Sequence, residues 1–148
     1  MSARILEKEE LSEKVFRMVL EGPKLSRKWK AGQFVVLRIH EEGERFPLTI
    51  ADVDREKGTV TIVFQEVGKS TGQLADLKVG DSVLDLVGPL GQPTHIEKVG
   101  TVVCIGGGVG MSLVYPIAKA MKEAGNYVIT IIGARTRDLI FIDRKSVV

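Results

Sequence analysis

The 148-residue chain holds a single cysteine, Cys104, which excludes an internal disulfide and any metal cage built from this chain's own thiolates. Charge of one sign is also scarce. A net charge of +2 with no long basic run argues against a nucleic-acid partner. No stretch approaches the run of about 20 apolar residues that spans a bilayer. Met1 to Glu10 is charged, unlike a signal peptide. These absences point to a cytoplasmic protein, and 44% hydrophobic with 27% charged residues is an ordinary globular balance. Neither His40 nor His95 belongs to a recognisable motif, and no catalytic residue can be named.

The first half of the chain reads as β structure. Lys14 to Leu20, Gln33 to Ile39 and Thr59 to Gln65 are short runs rich in β-branched and apolar residues, the last placing Val60, Ile62 and Phe64 on one face. Gly32, Gly43, Gly58, Gly80 and Gly88 punctuate them, with Pro23, Pro47, Pro89 and Pro93 near their ends. Such spacing favours an antiparallel barrel or sandwich. Only Ser70 to Leu77 in this half reads as a helix.

The pattern changes between Gln92 and Gly100. Thr101 to Ile105 is continuously apolar, as expected of a strand buried on both faces. Met111 to Ala124 is helical, with Leu113, Ile117, Ala120 and Met121 on one face and Gly125 as its C-terminal cap. Tyr127 to Ile132 is a second buried strand ending at Gly133. This is a β-α-β unit, but only about 50 residues follow Lys98, room for little more than one such unit. The expectation is a truncated chain whose small sheet lacks partners on one face and one edge.

Three segments carry chemistry. In Arg45-Phe46-Pro47-Leu48-Thr49, the guanidinium of Arg45 can fork onto phosphate oxygens and Thr49 offers a hydroxyl. Taken alone, the segment favours a surface arginine before an edge strand. Gly68-Lys69-Ser70-Thr71 opens the short helix, whose free N–H groups form an anion site. Ser70 or Thr71 could equally be a simple cap. A Walker-type loop is rejected, because Val63 stands where its first glycine belongs. Gly106-Gly107-Gly108-Val109-Gly110 lies between the apolar strand and the long helix, the place where backbone approaches a pyrophosphate. The strict G-x-G-x-x-G spacing fails at Met111. Arg135 and Arg137 follow the second strand, where arginine can accept a ribose 2′-phosphate or simply face solvent. Cys104 and Trp29 read as packing residues. Lys24, Arg27, Lys28 and Lys30 form a basic cluster that suits either an acidic electron carrier or a solvated face.

These segments, with Ala31-Gly32-Gln33-Phe34 and Gly88-Pro89-Leu90-Gly91, resemble the ferredoxin–NADP reductase superfamily across essentially the whole chain. The likeness is to its electron-transfer subunits, such as the alpha subunit of ferredoxin–NADP reductase (sulfide dehydrogenase) and the electron-transfer subunit of dihydroorotate dehydrogenase. The resemblance implies a six-stranded antiparallel FAD-binding barrel over residues 1–97 and a partial Rossmann-like NAD(P)-binding domain over residues 98–148. It further implies FAD on Arg45 and Thr49, with Gly68, Lys69, Ser70 and Thr71 at the pyrophosphate. The glycines from 106 to 110 would receive NAD(P) as substrate. Partners would be a catalytic or iron–sulfur subunit and a ferredoxin-like carrier, with homo-oligomers possible through the unfinished sheet. The [2Fe–2S] centre of the full-length family has no ligands here, and Leu48 replaces the family's aromatic. A flavin-free assembly module is the rival reading.

Overall fold

A computed structural model describes residues 1–140; residues 141–148, which the expected second domain includes, lie outside the described residues. The chain forms β1 (Ala3–Ser12), β2 (Val15–Glu21), α1 (Pro23–Lys28), β3 (Phe34–Arg38), β4 (Arg45–Asp54), β5 (Thr59–Gln65), α2 (Lys69–Asp76), β6 (Ser82–Val83) and β7 (Asp85–Leu90). There follow β8 (Thr101–Gly107), α3 (Met111–Glu123) and β9 (Tyr127–Gly133), with a 3-10 turn at Gly108–Gly110 between β8 and α3.

The first seven strands make one sheet in the order β6-β1-β2-β5-β4-β3-β7. Every neighbouring pair in it is antiparallel. The two outer strands are consecutive in sequence, so the sheet curls back on itself as a nearly closed barrel. Leu84, between them, donates its N–H to the Ile39 carbonyl at 3.2 Å, and Leu86 donates to Met1 at 3.0 Å. The expectation of six strands is thus corrected to seven, the extra one being the two-residue β6.

Strict alternation explains β5. Val60, Ile62 and Phe64 point inward and are fully buried, while Thr61 and Val63 are only half-buried. β1 hides the same logic under charge: Ala3 and Ile5 are buried between exposed neighbours before the strand runs on as Glu7-Lys8-Glu9-Glu10. The one-helix expectation for this half is also corrected. α1 begins with Pro23 at its first turn, where a missing N–H costs nothing, and it buries Leu25 and Ser26.

The second lobe is a parallel pair, β8 beside β9, joined by α3. Ile117 and Ala120 of α3 pack against the barrel core, and Lys119 Nζ lies 3.6 Å from Asp52 Oδ1 on β4. Buried Asn126 ties the lobe's base. Its Oδ1 accepts the Val99 and Gly100 N–H groups at 2.7 and 2.9 Å, and its Nδ2 donates to the Glu97 and Met121 carbonyls. Gly125, at φ +95°, reverses the chain after α3 as expected.

Burial of the apolar strands on both faces is not what the structure contains. Cys104 and Gly106 turn toward the helix side and are buried, whereas Val103, Ile105, Ile129 and Ile131 lie on the opposite side and are exposed, Ile105 by 69%. A two-stranded sheet with one covering helix has nothing to place on its second face. Leu113, expected on the packed side of α3, is likewise 41% exposed.

Candidate functional site

β4 changes partner halfway along its length. Arg45 to Thr49 pair with β3 alone, and pairing with β5 begins only at Ile50. The register shifts at Ala51, a β-bulge that bends the strand. At the other side of this seam, Val63 to Gln65 pair with β2 and not with β4. The Arg45–Thr49 backbone therefore presents a free edge, which also accommodates Pro47.

Alternation divides this segment. Arg45, Pro47 and Thr49 share one face, whereas Phe46 and Leu48 pack against the barrel core. Arg45 is 60% exposed, and its Nη2 lies 3.6 Å from Asp85 Oδ2. A surface pair of this kind contributes at most about 1 kcal/mol, so the guanidinium is free to turn to a stronger anion.

α2 follows the far end of β5 and meets this seam. Ser70 Oγ donates to Glu44 Oε2 at 2.7 Å, so the turn before Arg45 and the first turn of α2 are in direct contact. Gly68 is the N-cap, and the N–H groups of Lys69, Ser70 and Thr71 have no intrahelical partner. Thr71 serves the fold: its Oγ1 accepts the Val67 and Gly68 N–H groups at 2.9 and 3.0 Å. Lys69 is exposed, and a Cβ placed on Gly68 would meet nothing within 4 Å. At the other end, Lys8 Nζ donates to the carbonyls of Ala75 and Leu77. A cation there complements the helix dipole and fixes the helix pointing at the seam.

The glycine run separates by role. A Cβ on Gly106 would press to 3.2 Å from Met111 Cα and Val114 Cγ2, so this glycine permits close strand–helix packing. Gly108, at φ +55°, makes the turn. Around Gly108 and Gly110 a Cβ would meet nothing within 4 Å, and at Gly107 only the Gly133 carbonyl at 3.9 Å. Their backbone is open to a ligand. Ser112 Oγ donates to the Val109 carbonyl at 2.6 Å and holds the turn against α3.

Between the two lobes lies a cleft of about 590 Å³. Gly107, Gly108 and Val109 form one wall, Val15 and Gln65 of the barrel the other, with Arg135 and Leu139 at its end. Arg137 is exposed and does not line the cleft. Sequence reasoning missed Val15 and Gln65, whose contribution depends on how the lobes face each other. The basic cluster Lys24, Arg27, Lys28 and Lys30 is exposed, outside the cleft. Trp29 is buried in the core as expected.

Burial pushes the Cys104 thiol above its ordinary value, so it stays protonated and inert at neutral pH. The sign of the pH effect follows. A thiol that ionises less readily when folded favours the folded state fully below the unfolded thiol value, and that advantage fades as pH rises toward the folded value. The urea midpoint should therefore fall more between about pH 8 and pH 10 in the natural protein than in Cys104→Ala; equal falls would refute the burial effect. Among the described residues no group of three His, Cys, Asp or Glu is placed to hold a metal, and no helix is long and apolar enough to cross a membrane.

A nearly closed antiparallel barrel with a helix N-terminus at its open seam, followed by a parallel β-α-β unit, is the architecture of flavin reductases of the FAD-barrel type. The chain is 51% identical over 140 residues to the dihydroorotate dehydrogenase B (NAD(+)) electron transfer subunit homolog of Thermotoga maritima, covering 94% of this chain and 50% of that protein. The electron transfer subunit of Bacillus cereus is 31% identical over 147 residues, covering 95% of this chain and 56% of that protein. Among solved structures, the NADH-dependent reduced ferredoxin-NADP oxidoreductase matches with a TM-score of 0.93 and 48% identity over 96% of this chain and 51% of that one. Phthalate dioxygenase reductase, at 14% identity and a TM-score of 0.81, shares the fold. The chain belongs to the ferredoxin–NADP reductase superfamily, and it spans about half the length of the curated relatives it matches.

Residues 27–83 also match the profile of the Tudor domain of survival motor neuron protein (SMN). That stretch covers part of the barrel only. Its aromatic side chains Trp29, Phe34, Phe46 and Phe64 are buried or half-buried, so it lacks the open aromatic cage that cation recognition requires.

Proposed function

We propose that the chain is the flavin-bearing part of an electron-transfer oxidoreductase that takes reducing equivalents from NAD(P)H and delivers them to an iron–sulfur carrier such as ferredoxin. The observation that carries this reading is the seam, where the free edge of Arg45–Thr49 and the first turn of α2 are joined by the Glu44–Ser70 hydrogen bond. Two anion-binding devices that met only as sequence motifs are there side by side. The residues present fit FAD: unpaired N–H groups at Lys69 and Ser70, a mobile guanidinium at Arg45 and a hydroxyl at Thr49 on one face.

In this reading residues 1–97 are the FAD-binding domain and residues 98–148 part of the NAD(P)-binding one. Arg45 and the α2 N-terminus bind the pyrophosphate of FAD, and Thr49 orients its ring edge. Gly107, Gly108 and Gly110 let the nicotinamide dinucleotide approach the backbone, with Arg135 beside its phosphates. Val15, Val109 and Leu139 exclude water from the cleft between them. FAD supplies the hydride chemistry when bound, and the protein contributes binding, orientation and electrostatics. The one thiol is buried Cys104, so iron–sulfur ligands come from a partner subunit, in the cytoplasm. The name of the Thermotoga relative supports a second reading, in which the partner is a dihydroorotate dehydrogenase.

The test is a visible absorption spectrum of the purified protein with added FAD. A bound-flavin spectrum is expected, and Arg45→Ala should weaken FAD affinity about 10-fold, the loss of one charge-assisted phosphate contact. A protein that stays colourless in excess FAD would overturn the reading.

A further inference from the structure

The anion site at the seam already contains an anion of the chain's own. α2 has no acidic residue in its first turn, yet the Glu44 carboxylate reaches it from the β3–β4 turn and accepts the Ser70 hydroxyl at 2.7 Å. A carboxylate is favoured there for the same reason that a phosphate is, the unpaired N–H groups and the helix dipole. Asp85 plays the corresponding part for Arg45, at 3.6 Å. Both groups expected to hold a pyrophosphate are thus paired with carboxylates.

Resting on the flavin reading of this seam, we propose that Glu44 is an affinity-setting residue that stands in for the pyrophosphate of FAD. Binding displaces its carboxylate from Ser70, and the turn Glu41-Glu42-Gly43-Glu44 carries it outward. Glu44 is exposed, so it can leave without any rearrangement of the core. The cost of that displacement is subtracted from the affinity for any flavin that places phosphate at α2. It is not subtracted for riboflavin, which has none. Glu44 thereby lowers affinity for phosphate-bearing flavins in particular.

Glu44→Gln keeps the size of the side chain and an oxygen able to accept from Ser70, and it removes only the charge. Titrations of both proteins with FAD and with riboflavin, followed by flavin fluorescence, separate the outcomes. FAD should bind about five-fold more tightly to E44Q at low ionic strength. That gain should shrink at high salt, and riboflavin should not distinguish the two proteins. Equal FAD affinities, or weaker binding to E44Q, would overturn the role of Glu44 while leaving the flavin site standing. An equal gain for riboflavin would also overturn it, since the effect would then not be on phosphate. If neither protein binds FAD, the flavin reading itself fails and the proposal falls with it.

Discussion

Phe64→Ala is expected to lower the free energy of unfolding by about 4 kcal/mol, a large share of the roughly 5–15 kcal/mol that holds a domain together. Phe64 is 1% exposed and lies opposite Phe16 in the β2–β5 ladder, with ring centroids 5.7 Å apart. Removing the ring costs its transfer energy, the aromatic pair and the cavity left behind. The position also bears on binding. Phe64 lies one residue before Gln65 in the cleft and shortly before the turn that starts α2, so a loosened β5 should misplace both. Urea unfolding gives the stability and flavin fluorescence the binding. A loss below about 1 kcal/mol would mean that the barrel is not packed on this ring.

Gly106→Val is the second large effect, and it should strike the other lobe. Its first added carbon would already lie 3.2 Å from the α3 backbone at Met111 and from Val114. A β-branched side chain there has no rotamer that avoids both, so β8 and α3 must separate, at a cost of about 3 kcal/mol. FAD binding depends on the barrel and should survive, whereas reduction of bound flavin by NAD(P)H should be lost. Gly110→Ala is the control, because a Cβ at that position meets nothing. A G106V protein as stable as the parent would remove Gly106 from its packing role.

The same residues mark how far the sequence was legible. β5 could be read from Val60, Ile62 and Phe64, because a buried face repeats every second residue and nothing in the run contradicts it. β1 could not, since Glu7 to Glu10 hide its alternation at the exposed end of the strand. The apolar runs of β8 and β9 correctly announced parallel strands. A run of valine and isoleucine states which surfaces favour cover, not whether cover is present, and Ile105 and Ile131 remain open. At the seam the motifs were visible but their division of labour was not. Phe46 and Leu48 went to the core, and Thr71 went to its own turn. Glu44 carried no signal at all, because its contact with Ser70 bridges 26 residues of chain and arises only when β4 folds against α2.

The bulge at Ala51 gives β4 an uneven tolerance of genetic change. Substitutions between Arg45 and Thr49 alter one position each. A deletion or insertion of one codon in that stretch shifts the strand by one residue against the fixed point at Ala51, and every side chain before it changes sides. Arg45 and Thr49 would turn into the barrel, and Phe46 and Leu48 out to solvent. One lost triplet would thus do what five separate substitutions could not, dismantling the core and the ligand edge together. This segment should therefore keep its length more strictly than it keeps its residues.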